Sequence, residues 1–236
     1  MKCGVVVFPG SNCDHDVYHV LGHVLEQEVV FLWHGEENLQ GCDLVVLPGG
    51  FSYGDYLRGG ALAAVSPVMA AVRRHAEAGG LVLGICNGFQ ILLESGLLPG
   101  AMRRNDGLRF ICRDVFLRVE RDDLPFTRGY RAGQVVRLPI AHSEGNYEDS
   151  ATALAELEAG GRVAFRYVSP AGELNAAWNP NGSAHAIAGV VNQEGNVLGM
   201  MPHPERAAEQ ILGNIDGLDL FAAVVGRAAS AAGALG

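Results

Sequence analysis

Leu81-Val82-Leu83-Gly84-Ile85-Cys86-Asn87-Gly88-Phe89-Gln90-Ile91-Leu92-Leu93 is the stretch whose reading decides the fold. The apolar run 81–85 reads as a buried strand and the run 89–93 as a helix, with only three residues between them. So sharp a turn holds its middle residue in a strained conformation. It also needs glycine two positions to either side, because side chains there would collide with the crossing strand and helix. Gly-x-Cys-x-Gly therefore describes an elbow that exposes the Cys86 sulfur at a helix N-terminus, where a thiolate is stabilised, while the Asn87 N–H points to where an oxyanion would form. Taken alone, the segment also fits a buried structural cysteine.

Upstream of the elbow, strand and helix patterns alternate. Cys3 to Phe8 is an apolar run ending in Pro9-Gly10-Ser11-Asn12, and a helical pattern through Val17, Val20, Leu21, Val24 and Leu25 follows. Val29 to Trp33 and Leu44 to Leu47 read as buried parallel strands, the second breaking at Pro48-Gly49-Gly50. Ser66 before Pro67 supplies an N-cap and a first helical turn, and Gly79-Gly80 closes that helix. The alternation predicts an α/β fold, a doubly wound, mostly parallel sheet with helices on both faces and ligand chemistry at the carboxyl ends of the strands. Downstream, Val115, Leu117 and Val119 alternate with polar neighbours, and 134–140 is another strand candidate, so antiparallel strands are expected there. Asn179-Pro180-Asn181-Gly182 signals a turn, and 218–229 is helical by pattern. With no repeat or linker, residues 1–236 read as one domain.

Composition bounds the function. Hydrophobic residues at 49% and charged residues at 18% describe a soluble globular chain with ample core. A formal net charge of -9 argues against a nucleic-acid footprint, which needs a basic face. There is no signal-peptide core and no apolar run of membrane-spanning length. The five cysteines (Cys3, Cys13, Cys42, Cys86, Cys112) include no Cys-x-x-Cys pair, which fits free thiols in a reducing compartment, hence the cytoplasm.

Two further segments carry chemistry. Met201-Pro202-His203-Pro204-Glu205-Arg206 follows an apolar strand, and its prolines fix the backbone on both sides of His203. A His two residues before a Glu can turn its imidazole toward a neighbouring elbow while the carboxylate orients it, giving a nucleophile, base and orienter in Cys86, His203 and Glu205. On its own the segment equally describes a rigid surface turn. In Leu47-Pro48-Gly49-Gly50-Phe51-Ser52-Tyr53-Gly54-Asp55 the glycines let backbone amides approach a ligand, and Gly50 N–H is assigned as the second oxyanion donor beside Asn87. His15, His19 and His23 recur every four residues on one helix face, but this is no H-E-x-x-H site, and no metal is expected.

Gly-x-Cys-x-Gly-x-Gln (84–90) with a distant His-Pro-Glu resembles the class I, or triad, glutamine amidotransferases. The finer pattern is similar to the glutaminase subunits of phosphoribosylformylglycinamidine synthases: Pro-Gly-Ser-Asn-Cys-Asp at 9–14, Gly-Gly-Phe-Ser-Tyr-Gly-Asp-Tyr-Leu-Arg at 49–58, Pro-Ile-Ala-His at 139–142, Glu-Gly-Asn-Tyr at 144–147, Asn-Pro-Asn-Gly-Ser at 179–183 and Met-Met-Pro-His-Pro-Glu-Arg at 200–206. Two departures stand out, Ser143 where glycine is expected and Ala186 where asparagine is expected. The resemblance implies glutamine hydrolysis through a Cys86 thioester, with Gly49, Gln90, His142, Ser143 and Glu144 as contacts for the substrate glutamine. It implies ammonia delivery to a large synthetase subunit that uses ATP and magnesium, with a small bridging subunit, and no cofactor in this chain. Nothing in the sequence resembles a P-loop, a Rossmann glycine turn or a carboxylate-rich magnesium site. A stand-alone cysteine hydrolase, peptidase or γ-glutamyl hydrolase-like, would share the elbow but not the long 51–58 segment; a non-catalytic binding module would not need the triad.

Overall fold

A computed structural model describes residues 1–226. In chain order the strands are β1 (Lys2–Val7), β2 (Glu28–Trp33), β3 (Leu44–Leu47), β4 (Leu81–Ile85), β5 (Ala101–Arg103), β6 (Ile111–Val119), β7 (Val135–His142), β8 (Asn146–Glu148), β9 (Val163–Val168), β10 (Ile187–Val191) and β11 (Val197–Met200). The α-helices are α1 (Asp14–His19), α2 (Pro67–Glu77), α3 (Asn87–Glu94), α4 (Ala151–Ala159) and α5 (Leu218–Val224). Nine strands form one sheet in the order β2-β1-β3-β4-β11-β10-β9-β6-β7, and β5 pairs with β8 apart from it. The half β2-β1-β3-β4-β11 is parallel, and from β11 to β7 every pairing is antiparallel. The mixed sheet expected from the two halves of the sequence is therefore present.

The topology gathers three chain segments at one place. β4 lies between β3 and β11 with Leu47 opposite Gly84 and Ile85 opposite Met200, so all three parallel strands end level with one another. Each then releases a loop on the same side: 48–55 after β3, Cys86 after β4, and 201–206 after β11. All residues of β3 and β11 are buried, which is why both read as continuous apolar runs.

Several expectations need correction. β2 is an edge strand in which only Leu32 is buried, because no strand among the described residues covers its outer side; Phe31 still stacks on Tyr18 at 4.8 Å. The helix after β1 is α-helical only through His19 and widens into a π-turn over Val20–Val24, with Leu25 N–H reaching Val20 O at 2.9 Å. His23 stays beside His19 across that widening, with 5.3 Å between the ring centroids. His15 packs against Phe31 (5.2 Å between ring centroids), and His19 also bonds Glu209 (2.6 Å). Ser66 precedes α2 as expected, but its hydroxyl bonds the Tyr53 hydroxyl (3.0 Å) and caps no helical N–H. Of the helix expected over 218–229, residues 218–224 are helical, and 227–229 lie outside the described residues.

The departure at Ala186 has a structural cost. His185 and Ala186 both have positive φ, 51° and 56°, where asparagine and glycine are tolerated and alanine is not favoured. Ala186→Gly adds no atom and relieves this conformation. It is expected to stabilise the protein by about 0.5–1 kcal/mol, read as a raised thermal midpoint, since relief of about 1–2 kcal/mol of left-handed strain is partly offset by glycine's greater freedom in the unfolded chain.

Candidate active site

Cys86 caps α3 with φ 50° and ψ -104°, a strained conformation for a residue bearing a side chain. The elbow is closed by contact. A Cβ on Gly88 would lie 1.9 Å from Leu47 O, and one on Gly84 would lie 2.7 Å from Gly88 O. The strained backbone is held by bonds on both sides: Cys86 N–H donates to Met200 O (2.8 Å), and Cys86 O accepts from Phe89 N–H (3.0 Å) and Gln90 N–H (3.1 Å). The Asn87 and Gly88 N–H groups precede these first helical bonds, at the positive end of α3. The Asn87 side chain ties in the loop after β3 by accepting from Ser52 N–H (3.1 Å).

His203 and Glu205 reach the same place from β11. His203 N–H donates to Pro139 O (2.8 Å), which anchors the loop, and Nδ1 meets Glu205 Oε1 at 2.6 Å with both side chains buried. With Nδ1 engaged, Nε2 is the nitrogen left for Cys86, and it has no other partner among the described residues. Burial opposes a charge on His203, but Glu205 first and then Cys86 and Cys13 overcome it, so its pKa is raised well above the ordinary histidine value. That direction favours an imidazolium beside a sulfur nucleophile.

Gly50 lies in a short antiparallel bridge to Ser11, flanked by Phe51 N–H to Gly10 O (2.9 Å) and Asn12 N–H to Gly49 O (3.2 Å). Residue 50 thus occupies the unbonded position of the ladder, and its own N–H points away from Ser11. Gly49 is set more tightly than a ligand contact requires: its carbonyl accepts from Asn12 and Cys13, and a Cβ there would lie 2.7 Å from His203 Cε1.

The remaining sequence candidates form a connected floor. Gln90 accepts from Asn87 Nδ2 (2.8 Å) and donates to Glu144 O (2.8 Å), so its amide links the elbow to the 142–146 loop. Glu144 also accepts from Gly59 N–H (3.2 Å), and its charge adds to burial in raising the nearby Asp55 to a pKa of about 6. The carbonyls of His142 and Ser143 are taken by Asn105, through Nδ2 and N–H respectively, both at 2.9 Å.

Asn105 carried no signal in the sequence. It is fully buried, and its Oδ1 accepts from Gly145 N–H (3.0 Å), so the His142 Nδ1 at 3.1 Å must be the protonated nitrogen. Burial, with His203 as a smaller cause, lowers the His142 pKa to about 4. His142 is therefore neutral in the fold and protonates in the unfolded chain below about pH 6.5. Its contribution to stability is present above that value and is lost as pH falls toward 4, a loss of about 3 kcal/mol at most. Urea unfolding between pH 7 and pH 4.5 should show this decline, and a His142→Gln chain should decline less steeply.

Cys13 was also missed as part of the site. Its Sγ lies 3.9 Å from His203 Nδ1 and accepts from Arg206 Nη2 at 3.0 Å. Cys13, His203 and Glu205 place ligand-type atoms within 4.8 Å of one another. The guanidinium on that sulfur competes for its lone pair and opposes a cation, and the short His203–Glu205 bond leaves this set reading as acid–base machinery.

Likenesses to known proteins run along nearly the whole chain. The family profile described as the CobB/CobQ-like glutamine amidotransferase domain matches residues 1–217. The chain is 62% identical over 225 residues to the phosphoribosylformylglycinamidine synthase subunit PurQ of Moorella thermoacetica, covering 95% of each. It is 60% identical over 228 residues to the subunit of that name from Gloeobacter violaceus, covering 97% of this chain and 98% of that one. Among solved structures, a chain of PurLQS from Thermotoga maritima superposes with a TM-score of 0.84 at 43% identity, covering 95% of this chain and 97% of that one.

Proposed function

Because the chain belongs to the CobB/CobQ-like glutamine amidotransferase family, we propose that it is the glutaminase subunit of a phosphoribosylformylglycinamidine synthase, an ATP-dependent C–N ligase complex of purine biosynthesis. The observation that carries this reading is Cys86 on its strained elbow beside the buried His203–Glu205 pair. In this reading Cys86 attacks the side-chain carbonyl of glutamine, and the Asn87 and Gly50 N–H groups receive the oxyanion. His203 passes its proton to the amide nitrogen, which departs as ammonia and leaves a thioester on Cys86. His203 then takes a proton from water, the hydroxide attacks the thioester, and glutamate and the free thiol are released. Glu205 holds the imidazole in its working tautomer and stabilises its cation. Gly49, Gln90, His142, Ser143 and Glu144 shape the glutamine pocket.

The partners in this reading are a large synthetase subunit, which binds ATP and magnesium, and a small bridging subunit; this chain needs no cofactor of its own. Residues 1–236 act as one domain. No described helix is long and apolar enough to cross a membrane, and the reading places the complex in the cytoplasm.

A glutamine-like electrophile provides the test. It should label Cys86 and none of Cys3, Cys13, Cys42 or Cys112, as read by peptide mass, and labelling should abolish glutamine hydrolysis. Labelling elsewhere, or hydrolysis that survives full labelling, would remove the proposed nucleophile. Hydrolysis of glutamine by the chain alone at the rate of the assembled complex would favour a stand-alone hydrolase.

A further inference from the structure

A second cysteine stands at the triad, with no part in the steps above. Cys13 is buried, and its N–H donates to Gly49 O at 3.1 Å, which locks it to the loop after β3. Its sulfur faces the Nδ1 edge of His203 at 3.9 Å, beside the 2.6 Å bond to Glu205. Gly49 closes the same edge, since a Cβ there would meet both His203 Cε1 (2.7 Å) and Cys13 Sγ (3.1 Å). On the far side of the sulfur, Arg206 Nη2 donates to it at 3.0 Å, and Arg206 Nε lies 3.8 Å from Asp16 Oδ2 on α1. A chain of contacts thus runs from Asp16 through Arg206 and Cys13 to the imidazole. Arg206 directly follows the triad carboxylate, yet its guanidinium turns toward the sulfur.

The imidazole needs such support. Its one strong bond, to Glu205, fixes the position of Nδ1 but leaves the ring free to swing about that bond, and a swing moves Nε2, the atom that must meet Cys86. A misplacement of about 1 Å at a reacting group costs on the order of a hundredfold in rate. Cys13 and Gly49 bracket the ring edge where that swing would go. A polarisable sulfur packs there more closely than a water-filled gap would allow.

We propose that Cys13 is a positioning residue of the glutaminase reaction, its sulfur tethered by Arg206 and holding the His203 ring at the angle from which Nε2 serves Cys86. This rests on the glutaminase reading of the site. The titratable and charged groups around His203 are Glu205, Cys86, Cys13, Asp16 and His142, with Arg206 acting through the Cys13 sulfur. Among them Cys13 favours the protonated ring, so its removal should also move the basic limb of the pH profile to lower pH.

The experiment compares Cys13→Ala, Cys13→Ser and Arg206→Met in the assembled complex, with steady-state glutamine hydrolysis followed over pH and the thermal midpoint of each variant recorded. Cys13→Ala should lower kcat roughly tenfold, within the hundredfold range for a displaced group, with KM changed less than twofold and the basic limb shifted down. Cys13→Ser, which keeps an acceptor for Arg206, should recover at least half of the lost kcat. Arg206→Met, which frees the sulfur without removing it, should change kcat in the same direction as Cys13→Ala, and it carries the test with Cys13→Ser if the alanine variant does not fold. A lower thermal midpoint with kcat, KM and pH profile unchanged would show that Cys13 only fills space and would overturn the proposal. Equal losses in the serine and alanine variants would also overturn it. Cys86→Ala and the unaltered chain run in parallel separate the two levels: hydrolysis that survives Cys86→Ala removes Cys86 as the nucleophile, and no glutamine hydrolysis by the unaltered complex means that the glutaminase reading itself has failed.

Discussion

Cys86→Ala is expected to abolish synthesis from glutamine while leaving synthesis from added ammonium intact in the assembled complex. Glutamine hydrolysis should fall by at least about 10⁴-fold, the scale reached when the nucleophile of an acyl-transfer site is removed. The substitution removes only Sγ, which makes a weak contact to Ala141 O at 3.8 Å and interacts with the His203 imidazole. The bonds that hold the elbow are backbone bonds, from Cys86 N–H to Met200 O and from Phe89 and Gln90 N–H to Cys86 O, and alanine keeps them all. Alanine at φ 50° is no better suited to the strained turn than cysteine, so no large gain or loss of stability should obscure the result. The measurement pairs glutamate release with product formation from glutamine and, separately, from ammonium chloride. Loss of both syntheses with the complex still assembled would mean that Cys86 supports the partner's chemistry or the docking of the subunits, and that ammonia release had been assigned to the wrong residue.

What the sequence disclosed and what it withheld divide along the range of the interactions. The elbow was legible because its constraint is local: strand, turn and helix lie within 13 residues, and the crossing of backbone on backbone admits only glycine at 84 and 88. His203 and Glu205 were legible for a similar reason, being two residues apart between prolines at a strand end. The order of the strands was not in the pattern. Val29 to Trp33 is as apolar as Leu44 to Leu47, yet the first lies at the sheet edge and the second near the middle, and only pairing with β1 and β4 distinguishes them. Ser66 shows how a tertiary partner overrides a local rule, since the Tyr53 hydroxyl takes the oxygen that a cap would have used. Asn105 was silent, and Cys13, though inside the 9–14 motif, showed no role there, because both roles lie wholly in distant contacts, 190 residues along the chain from Cys13 to His203 and 37 from Asn105 to His142. Neither sits in a pattern whose local geometry demands that residue.

Gly88→Ala tests whether the elbow depends on contact in the way its geometry indicates. Two effects oppose each other. Gly88 lies inside α3, where alanine is the better helix former by about 1 kcal/mol. Against that, the added Cβ would lie 1.9 Å from Leu47 O and 2.6 Å from Leu47 C, well inside contact distance and against backbone. That backbone cannot yield, because β3 is buried and paired on both sides, with β1 and with β4. α3 must therefore lift away from the sheet, drawing Phe89, Ile91 and Leu92 out of the core they now fill. Overpacking of this kind costs about 1–3 kcal/mol and sometimes more, and here it adds to the loss of apolar burial, so the clash outweighs the helix preference. For a chain of this size a net loss of about 3 kcal/mol lowers the thermal midpoint by roughly 6–12 °C. Because the lifted helix carries the N–H of Asn87 away from Cys86, the soluble fraction should also label slowly with a glutamine-like electrophile. Gly107→Ala is the control, since nothing among the described residues lies within 4 Å of a Cβ there, and its midpoint should stay near that of the parent. A Gly88→Ala chain as stable as that control, and as reactive at Cys86 as the parent, would mean that the strand–helix crossing tolerates a side chain and that the glycine answers to something other than contact.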